Sequence, residues 1–279
     1  MKYFEPASIE EALNLLNSEE DARCVSGGAT LVAMMNADLL SPSALIGLRN
    51  ISKLEGITKI DQGLRIGAMT THATIAQSEL FEAASSVINR AAQQIAHPPI
   101  RNMGTIGGSI SHADPAADFP TSLLAADATI EVHGTNGIRQ IPAGDFFIDY
   151  YETAAADNEI VSAIIVPFGP LKARGEHVKV ARVDGDFATV AVSLVLAMEK
   201  DVCNYARIAV GAVASTPLHL DEADALLCGS NLSADSIAKA ANLLVKAADP
   251  IDDVRGSAEY RRLLIPRLLK RAINNLQPA

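Results

Sequence analysis

The chain has 279 residues, 49% of them hydrophobic and 20% charged, a composition typical of a globular protein with one large domain or two modest ones. Its formal net charge of -10 argues against the basic face that a nucleic-acid partner requires. No apolar run approaches the roughly 18 residues that span a bilayer, and the N-terminus lacks the apolar core of a signal peptide, so we expect a cytoplasmic protein without a transmembrane segment.

The N-terminal part predicts a small unit of βαβ type. Ser8 and Glu11 have the spacing of a capping box, which opens a helix that continues to about Leu16. Short buried strands are predicted at residues 24–25 and 44–48, with a helical turn at residues 31–35 between them.

The middle of the chain predicts mixed strands and helices. Residues 64–68 alternate as a strand does, and helical periodicity follows at residues 71–77 and 81–96. The segment His97-Pro98-Pro99 is expected to end that helix, because the residue before a proline disfavours helical geometry. Around residues 134–137, two alternating runs flank a glycine-rich turn and predict a β-hairpin.

Residues 167–170 are predicted to form a linker, after which the order of predicted elements changes. Three strands are predicted there, at residues 177–182, 189–198 and 205–213, followed by three helices. The first helix ends at Gly229, the second has Ser233 as its N-cap, and the third starts near Ser257 and contains Pro266, which we expect to kink or split it.

Two glycine segments are the most informative feature. The first is Val25-Ser26-Gly27-Gly28-Ala29-Thr30-Leu31, and the second is Thr105-Ile106-Gly107-Gly108-Ser109. Each follows an apolar stretch and places adjacent glycines where the chain is expected to turn, so that backbone amides can approach a ligand closely and positive φ is tolerated. A turn of consecutive amides is a concave anion site, and two such turns suit a ligand with two linked phosphates.

The sequence contains no common catalytic motif: neither of the usual glycine-rich nucleotide fingerprints, no zinc-protease motif and no nucleophile elbow. Ser111, His112 and Asp114 are close in sequence, but a catalytic triad is assembled in space rather than by adjacency. The three cysteines are isolated, support neither a disulfide nor a metal or iron–sulfur site, and are expected to be small buried side chains. We therefore predict no catalytic residue and no metal ligand.

Asp118 and Lys179 remain as candidates for ligand contact. The Asp118 carboxylate can accept hydrogen bonds from ribose or ribityl hydroxyls, or it can cap the helix that follows it. Lys179 can point from the second half of the chain toward a bound cofactor, or it can be a solvated charge on a strand. The residues alone leave both alternatives open.

Five motifs in order resemble the medium, FAD-binding subunit of molybdenum hydroxylases, such as carbon monoxide dehydrogenase and bacterial xanthine or aldehyde dehydrogenases. The resemblance covers nearly the whole chain. The motifs are the first glycine segment, residues 45–51, residues 101–118 (similar to R-N-x-G-T-I-G-G-N with D-P-x-x-D), residues 179–188 (similar to K-x-x-R with G-D-[FWY]-A) and residues 253–262 (similar to D-x-R-G-S-A-x-Y-R).

The resemblance implies an α+β fold: a two-part FAD-binding domain of the vanillyl-alcohol oxidase-like (PCMH-type) class, followed by a C-terminal domain with a three-stranded antiparallel sheet and three helices. The implied boundaries are 1–170, with subdomains of about 1–57 and 58–170, and 171–279. The two glycine segments would hold the FAD pyrophosphate through backbone amides and Asp118 would hold ligand hydroxyls. Val161 falls where the family places an aliphatic residue against the isoalloxazine, and Lys179 where it places a lysine near the flavin.

The resemblance also implies partners. Substrate would be hydroxylated at a molybdenum-pterin cofactor in a large subunit, and electrons would reach FAD through [2Fe-2S] clusters in a small subunit, in a heterotrimer or a dimer of heterotrimers. An external acceptor would then be reduced. The alternatives are a stand-alone FAD-dependent oxidoreductase with His112 and His177 as its polar candidates, and a scaffold subunit that has lost the ligand.

The chain departs from the family pattern at three positions. Ser109 replaces the usual Asn, Gly47 replaces an Asp, and His177 stands where an aromatic residue is common, so that the flavin is expected either to lack a ring neighbour or to stack on imidazole.

Overall fold

A computed structural model of the protein describes residues 1–61 and 63–276. The three largest hydrophobic cores of the described chain are each centred on one of three consecutive units. Among the described residues, no helix combines the length and the apolar character needed to cross a membrane.

The N-terminal unit is a three-stranded parallel sheet in the order β1-β3-β2, backed by one longer helix. Its elements are β1 (Lys2–Phe4), α1 (Ile9–Ser18), β2 (Ala22–Val25), α2 (Leu31–Asn36) and β3 (Ala44–Gly47). The parallel pairing confirms the predicted βαβ connection. The Ser8 hydroxyl caps α1 by accepting from the Glu11 amide at 3.1 Å, whereas the Glu11 carboxylate accepts from Ala7 rather than from Ser8.

The middle unit has a five-stranded antiparallel sheet in the order β4-β5-β10-β6-β7, with helices on one face, and a separate two-stranded ribbon, β8-β9. Its elements are β4 (Ile57–Ile60), β5 (Gly63–Gly67), α3 (His72–Gln77), α4 (Ser86–Gln94), α5 (Pro98–Met103), α6 (Ile106–His112), α7 (Asp118–Ala125), β6 (Thr129–Gly134), β7 (Gly137–Pro142), α8 (Ala143–Phe146), β8 (Phe147–Asp149), β9 (Glu152–Thr153) and β10 (Ile160–Pro167). The hairpin predicted around residues 134–137 is formed by β6 and β7.

The C-terminal unit confirms the predicted three-stranded antiparallel sheet and three helices. Its elements are β11 (Arg174–Val180), β12 (Val190–Glu199), β13 (Val202–Gly211), α9 (Asp221–Leu227), α10 (Ala234–Ala247) and α11 (Ala258–Leu276). The helix α11 runs through Pro266 without a break, contrary to a predicted split. Leu264, Ile265, Leu268 and Leu269 pack into the same core on both sides of the proline, and this burial holds the helix continuous.

Two helix boundaries differ from the sequence prediction. The helix expected at residues 81–96 is shorter, because Ala83 has φ of 50° and a 3₁₀ turn occupies residues 83–85 before α4 begins. The prolines after His97 do not only end a helix. They also occupy the first turn of α5, where a missing amide hydrogen costs nothing.

The middle and C-terminal units meet along a seam formed by the loop between α6 and α7. The amide of Ala188 donates to the Ala116 carbonyl at 3.1 Å, and the amide of Ala212 donates to the Pro115 carbonyl at 2.9 Å. These bonds fix the start of α7 against the C-terminal sheet, which places residues of both units side by side.

Candidate functional site

The first glycine segment links β2 to α2. Val25 ends the strand, residues 26–30 form the loop, and Leu31 begins the helix. Gly28 has φ of 74°, a left-handed conformation that favours glycine, as the sequence predicted for such a turn.

The second glycine segment is helical rather than a turn. Thr105 is the N-cap of α6, and Ile106, Gly107, Gly108 and Ser109 form its first turn. None of these glycines has positive φ, so the expectation of a left-handed turn is wrong here. Thr105 accounts for the difference, because its hydroxyl accepts from the Gly108 amide at 3.1 Å and so starts the helix directly at the glycines.

The two segments meet through their hydroxyl groups. Thr105 Oγ1 donates to Ser26 Oγ at 3.1 Å, across 79 residues of sequence. Since Thr105 Oγ1 also accepts from Gly108, a single side chain ties the loop after β2 to the first turn of α6. The structure thus brings together the two segments that the sequence singled out. We call this contact between residues 25–31 and residues 105–109 the glycine junction.

Close packing explains why glycine is needed at this junction. A Cβ on Gly27 would fall on the carbonyl oxygen of Met103, and a Cβ on Gly107 would lie 2.6 Å from the Cβ of Ala68. A Cβ on Gly108 would lie 2.7 Å from Ser26 Oγ. A side chain at any of these positions would therefore collide with an atom of the surrounding structure, and at Gly108 that atom belongs to the other glycine segment.

The amides of the two segments have different partners. Across the described residues, the amides at positions 27–31 donate to no protein acceptor, and all five residues are at least partly exposed. In contrast, Gly107 donates to the Ala68 carbonyl at 2.8 Å, and Ser109 donates to the Thr105 carbonyl at 3.0 Å. The first segment therefore offers its amides to an anion, while the second offers a close, side-chain-free backbone approach.

Asp118 is buried at the seam between the middle and C-terminal units. It occupies the first position of α7, where Ala117 is the N-cap, and its side chain does not cap the helix. Its Oδ1 lies 3.0 Å from His177 Nε2, and its Oδ2 accepts from Lys179 Nζ at 2.8 Å. The helix-capping alternative for Asp118 is therefore not what the structure shows.

Lys179 is also buried, with 6% of its side chain exposed, so the alternative of a solvated strand charge is wrong. Its ammonium group donates to the Asp186 carbonyl at 2.9 Å as well as to Asp118. Burial alone would raise the pKa of Asp118, but the hydrogen bond and charge of His177 and the charge of Lys179 outweigh it and hold that pKa below its usual value. The carboxylate is therefore ionised at neutral pH.

His177 has no exposed side-chain surface. Its Nδ1 lies 2.8 Å from Ser193 Oγ, and its Nε2 faces Asp118. In this arrangement the imidazole is part of a buried polar chain and has no exposed surface. This favours the expectation that a flavin lacks a ring neighbour at this position, which stays a prediction.

Val161 lies in β10, the central strand of the five-stranded sheet. It is 7% exposed and pairs with Val132 of β6. The following residue, Ser162, accepts from the Ala68 amide at 3.0 Å, and Ala68 is the residue against which Gly107 packs. Val161 is thus two contacts away from the glycine junction, and its proposed contact with a flavin remains a prediction.

His72 is a residue of this region that the sequence did not indicate. Its amide donates to the Gly104 carbonyl at 3.0 Å, and its ring lies edge-on to Phe119, with centroids 5.2 Å apart. Burial lowers the pKa of His72 to about 4, against an opposing effect of Asp118. Its Nδ1 has no hydrogen-bond partner among the described residues. No spacing or motif marks this histidine, because its environment comes entirely from the tertiary packing.

The other sequence candidates are separate from this network. Asp114 accepts from the Ala116 amide at 2.8 Å, and the His112 ring packs on Tyr151. Of the cysteines, Cys203 is buried as expected, Cys24 is half-buried and Cys228 is exposed, which corrects the expectation for Cys228.

One cluster of metal-ligating side chain types was not anticipated. Within the described part of the chain, His219, Asp221 and Asp224 in the C-terminal unit place one ligand atom each within 4.8 Å of the others. His219 Nδ1 donates to the Ile208 carbonyl at 2.8 Å, and Nε2 lies 3.0 Å from Asp221. These contacts join β13 to α9 and lie in a different unit from the glycine junction.

Family models cover most of the chain. The FAD binding domain in molybdopterin dehydrogenase matches residues 1–169, and the CO dehydrogenase flavoprotein C-terminal domain matches residues 177–276. The chain is 37% identical to the carbon monoxide dehydrogenase medium chain of Afipia carboxidovorans, over 97% of this chain and 94% of that one. It is 36% identical to the nicotine 6-hydroxylase medium subunit of Paenarthrobacter nicotinovorans, over 98% and 96%.

Solved structures agree with this assignment. The cyanide-inactivated form of Cu,Mo-CO dehydrogenase contains a chain that superposes with a TM-score of 0.95 at 36% identity, covering 98% of this chain and 96% of that one. Quinoline 2-oxidoreductase from Pseudomonas putida 86 gives a TM-score of 0.93 at 31% identity, covering 99% and 96%. The chain belongs to the family of FAD-binding flavoprotein subunits of molybdopterin dehydrogenases, with the family's C-terminal domain behind its FAD-binding domain.

Proposed function

We propose that this chain binds FAD at the glycine junction and serves as the electron-transfer subunit of a cytoplasmic molybdenum hydroxylase. Electrons would come from [2Fe-2S] centres in a small partner subunit, after hydroxylation of substrate at a molybdenum-pterin cofactor in a large one, and would pass to an external acceptor. The assembly would be a heterotrimer or a dimer of heterotrimers. The relatives named as medium chains and medium subunits support a multi-subunit complex.

The observation that carries the proposal is the hydrogen bond between Thr105 and Ser26. It places five amides without protein acceptors, at positions 27–31, beside a helix start where a Cβ on Gly107 or Gly108 would collide with its neighbours. This combination fits a bound pyrophosphate, which needs consecutive amide donors and close backbone approach.

The chain's own residues would bind and orient the cofactor. The first segment, from Val25 to Leu31, would hold the pyrophosphate through its amides, and the start of α6, from Thr105 to Ser109, would pack against it. Asp118 would accept from cofactor hydroxyls with the lone pairs that His177 and Lys179 leave free. Val161 and Lys179 would lie near the isoalloxazine. When bound, FAD supplies the redox chemistry that these side chains lack.

A stand-alone oxidoreductase has less support. It requires polar side chains that face a substrate beside the flavin, and the two candidates are His112 and His177. His177 is fully buried in the Asp118 network, and the His112 ring packs on Tyr151. Both ring nitrogens of His177 are thus taken up by Ser193 and Asp118, and His112 lies at the opposite end of α6 from the second glycine segment.

The proposal is tested by an absorption spectrum of the purified chain, followed by heat release and chromatographic identification of any yellow chromophore. We expect the two bands of oxidised flavin and release of FAD. A folded, colourless chain that takes up no added FAD, even with partner subunits present, would contradict the proposal and favour a scaffold role.

A further inference from the structure

His177 contacts Asp118 directly in the buried polar network but has no part in the proposed contacts to FAD. We infer that it is a positioning residue of the FAD site, which acts through Asp118 by holding one of its carboxylate oxygens in a fixed orientation. The inference rests on the proposed FAD site.

The network crosses from one unit to another. Asp118 belongs to α7 of the middle unit, whereas His177 and Lys179 are two residues apart on β11 of the C-terminal unit and so point to the same face of that strand. Ser193, opposite His177 on β12, completes the chain at 2.8 Å from Nδ1. Each Asp118 oxygen therefore has its own donor, and both donors come from one strand.

The chemistry of the contacts fixes the direction of the hydrogen bond. An ionised carboxylate only accepts, so Nε2 of His177 carries the proton that points at Asp118 Oδ1. The Ser193 hydroxyl is the hydrogen-bond partner of the other ring nitrogen, Nδ1, at 2.8 Å. The buried carboxylate of Asp118 has the ammonium group of Lys179 as its ion-pair partner at 2.8 Å, as a charge in a buried site requires.

Stability alone is a poor explanation for this arrangement. The side chains of His177, Asp118 and Lys179 are 0%, 5% and 6% exposed, respectively. Charges buried to this extent pay a large desolvation cost, and apolar residues of the same volume often stabilise a protein equally well. What the network supplies in addition is a single orientation for the Asp118 carboxylate.

Packed side chains connect Asp118 to the glycine junction. Phe119, the residue after Asp118, lies edge-on to His72, and His72 bonds the Gly104 carbonyl directly before Thr105. The loop before Asp118 is clamped to the C-terminal sheet through Ala116 and Pro115. A carboxylate released from His177 would be free to turn toward the Lys179 ammonium and away from a cofactor hydroxyl.

The test compares His177→Phe, His177→Gln and the control His219→Gln in the full-length chain. Phe keeps the ring and removes the donor, whereas the Gln side-chain amide can donate to Asp118 in its place. His219 is a matched histidine in contact with carboxylates in the C-terminal unit. The readouts are the Kd for FAD, the visible circular dichroism of bound flavin and its midpoint potential, with thermal unfolding to verify folding.

We expect His177→Phe to weaken FAD binding about tenfold, as loss of one hydrogen bond to a charged group does, and to change the flavin spectrum and potential. His177→Gln should return the affinity to within about twofold of the wild-type value, and His219→Gln should leave it unchanged. If His177→Phe does not fold, Ser193→Ala, which removes only the partner of Nδ1, should shift the same readouts in the same direction by a smaller factor.

Three outcomes would overturn the inference. In the first, the wild-type chain binds FAD and both His177→Phe and Ser193→Ala leave the affinity, spectrum and potential unchanged. In the second, His177→Gln is as impaired as His177→Phe, which would indicate a steric effect. In the third, the wild-type chain binds no FAD, which would remove the proposed function as well and so is distinguishable from the first two.

Discussion

Thr105 Oγ1 donates a hydrogen bond to Ser26 Oγ at 3.1 Å while it accepts from the Gly108 amide at the same distance. One hydroxyl thus performs two tasks, since it caps α6 and joins that helix to the loop after β2. Thr105 therefore links the capping of a helix to the geometry of the proposed FAD site.

Replacing Thr105 by Val, compared with the loss of an ordinary N-cap elsewhere, should show what the contact with Ser26 contributes. Loss of an N-cap hydroxyl costs about 1 kcal/mol of unfolding free energy. We expect Thr105→Val and the control Ser233→Ala, which removes the N-cap of α10, to lose similar stability in urea titrations. Only Thr105→Val should weaken FAD binding. Equal FAD affinity in the two variants would show that the Ser26 contact is irrelevant to the cofactor.

Gly27→Ala and Gly144→Ala are a second pair of variants, one at the glycine junction and one as its control. A Cβ on Gly27 would fall on the Met103 carbonyl oxygen, a backbone atom that cannot move aside alone. A Cβ on Gly144 would meet only Leu124 Cδ1, at an ordinary 3.6 Å. Gly27→Ala should therefore abolish or strongly reduce FAD content, measured as the ratio of flavin to protein absorbance, and Gly144→Ala should retain it. A fully loaded Gly27→Ala chain would refute close packing at the junction.

Local chemistry was sufficient to predict much of this fold. The hydroxyl of Ser8, the hairpin at Gly134 and the N-cap Ser233 each act within a few residues, and each is found where its motif placed it. From the sequence, the two glycine segments were predicted to bind the same ligand, but their direct contact was not predicted. No local rule sets a contact across 79 residues.

Predictions failed where tertiary packing outweighed local preference. Pro266 lies inside a continuous helix because the apolar residues on both sides of it are buried in one core. Lys179 is buried because α7 brings Asp118 to it, and a strand sequence with neighbouring charges gives no sign of that partner. The burial of His72 is likewise not visible in the sequence, because it depends on Phe119 and on the segment before Thr105.

The Asp118–Lys179 pair should behave as a unit. Removing one partner of a buried ion pair typically costs about 3–5 kcal/mol, because the other charge is left buried without compensation. We expect Lys179→Met and Asp118→Asn each to destabilise the chain by an amount of this order. The double variant should lose clearly less than the sum of the two, since it buries no unpaired charge. Urea unfolding of the four proteins completes the cycle, and additive losses would mean that the two side chains do not interact.

His72 should make stability depend on pH in a defined direction. Burial lowers its pKa from 6.5 to about 4, so the folded chain holds a neutral ring while the unfolded chain takes up a proton below pH 6.5. The unfolded state therefore binds more protons between these values, and stability falls as the pH drops through that window. The full shift corresponds to about 3 kcal/mol, present above the upper value and lost by the lower one.

His72→Phe provides the comparison, because it keeps an aromatic ring against Phe119 and removes both the titrating group and the Nδ1 that lacks a partner. Urea unfolding of both proteins between about pH 7 and about pH 4.5 should show a difference in stability that shifts toward the variant as the pH falls. The other histidines are shared by the two proteins and cancel in that difference. A difference that stays constant across the range would mean that His72 titrates normally, and hence that water or a ligand group reaches its ring.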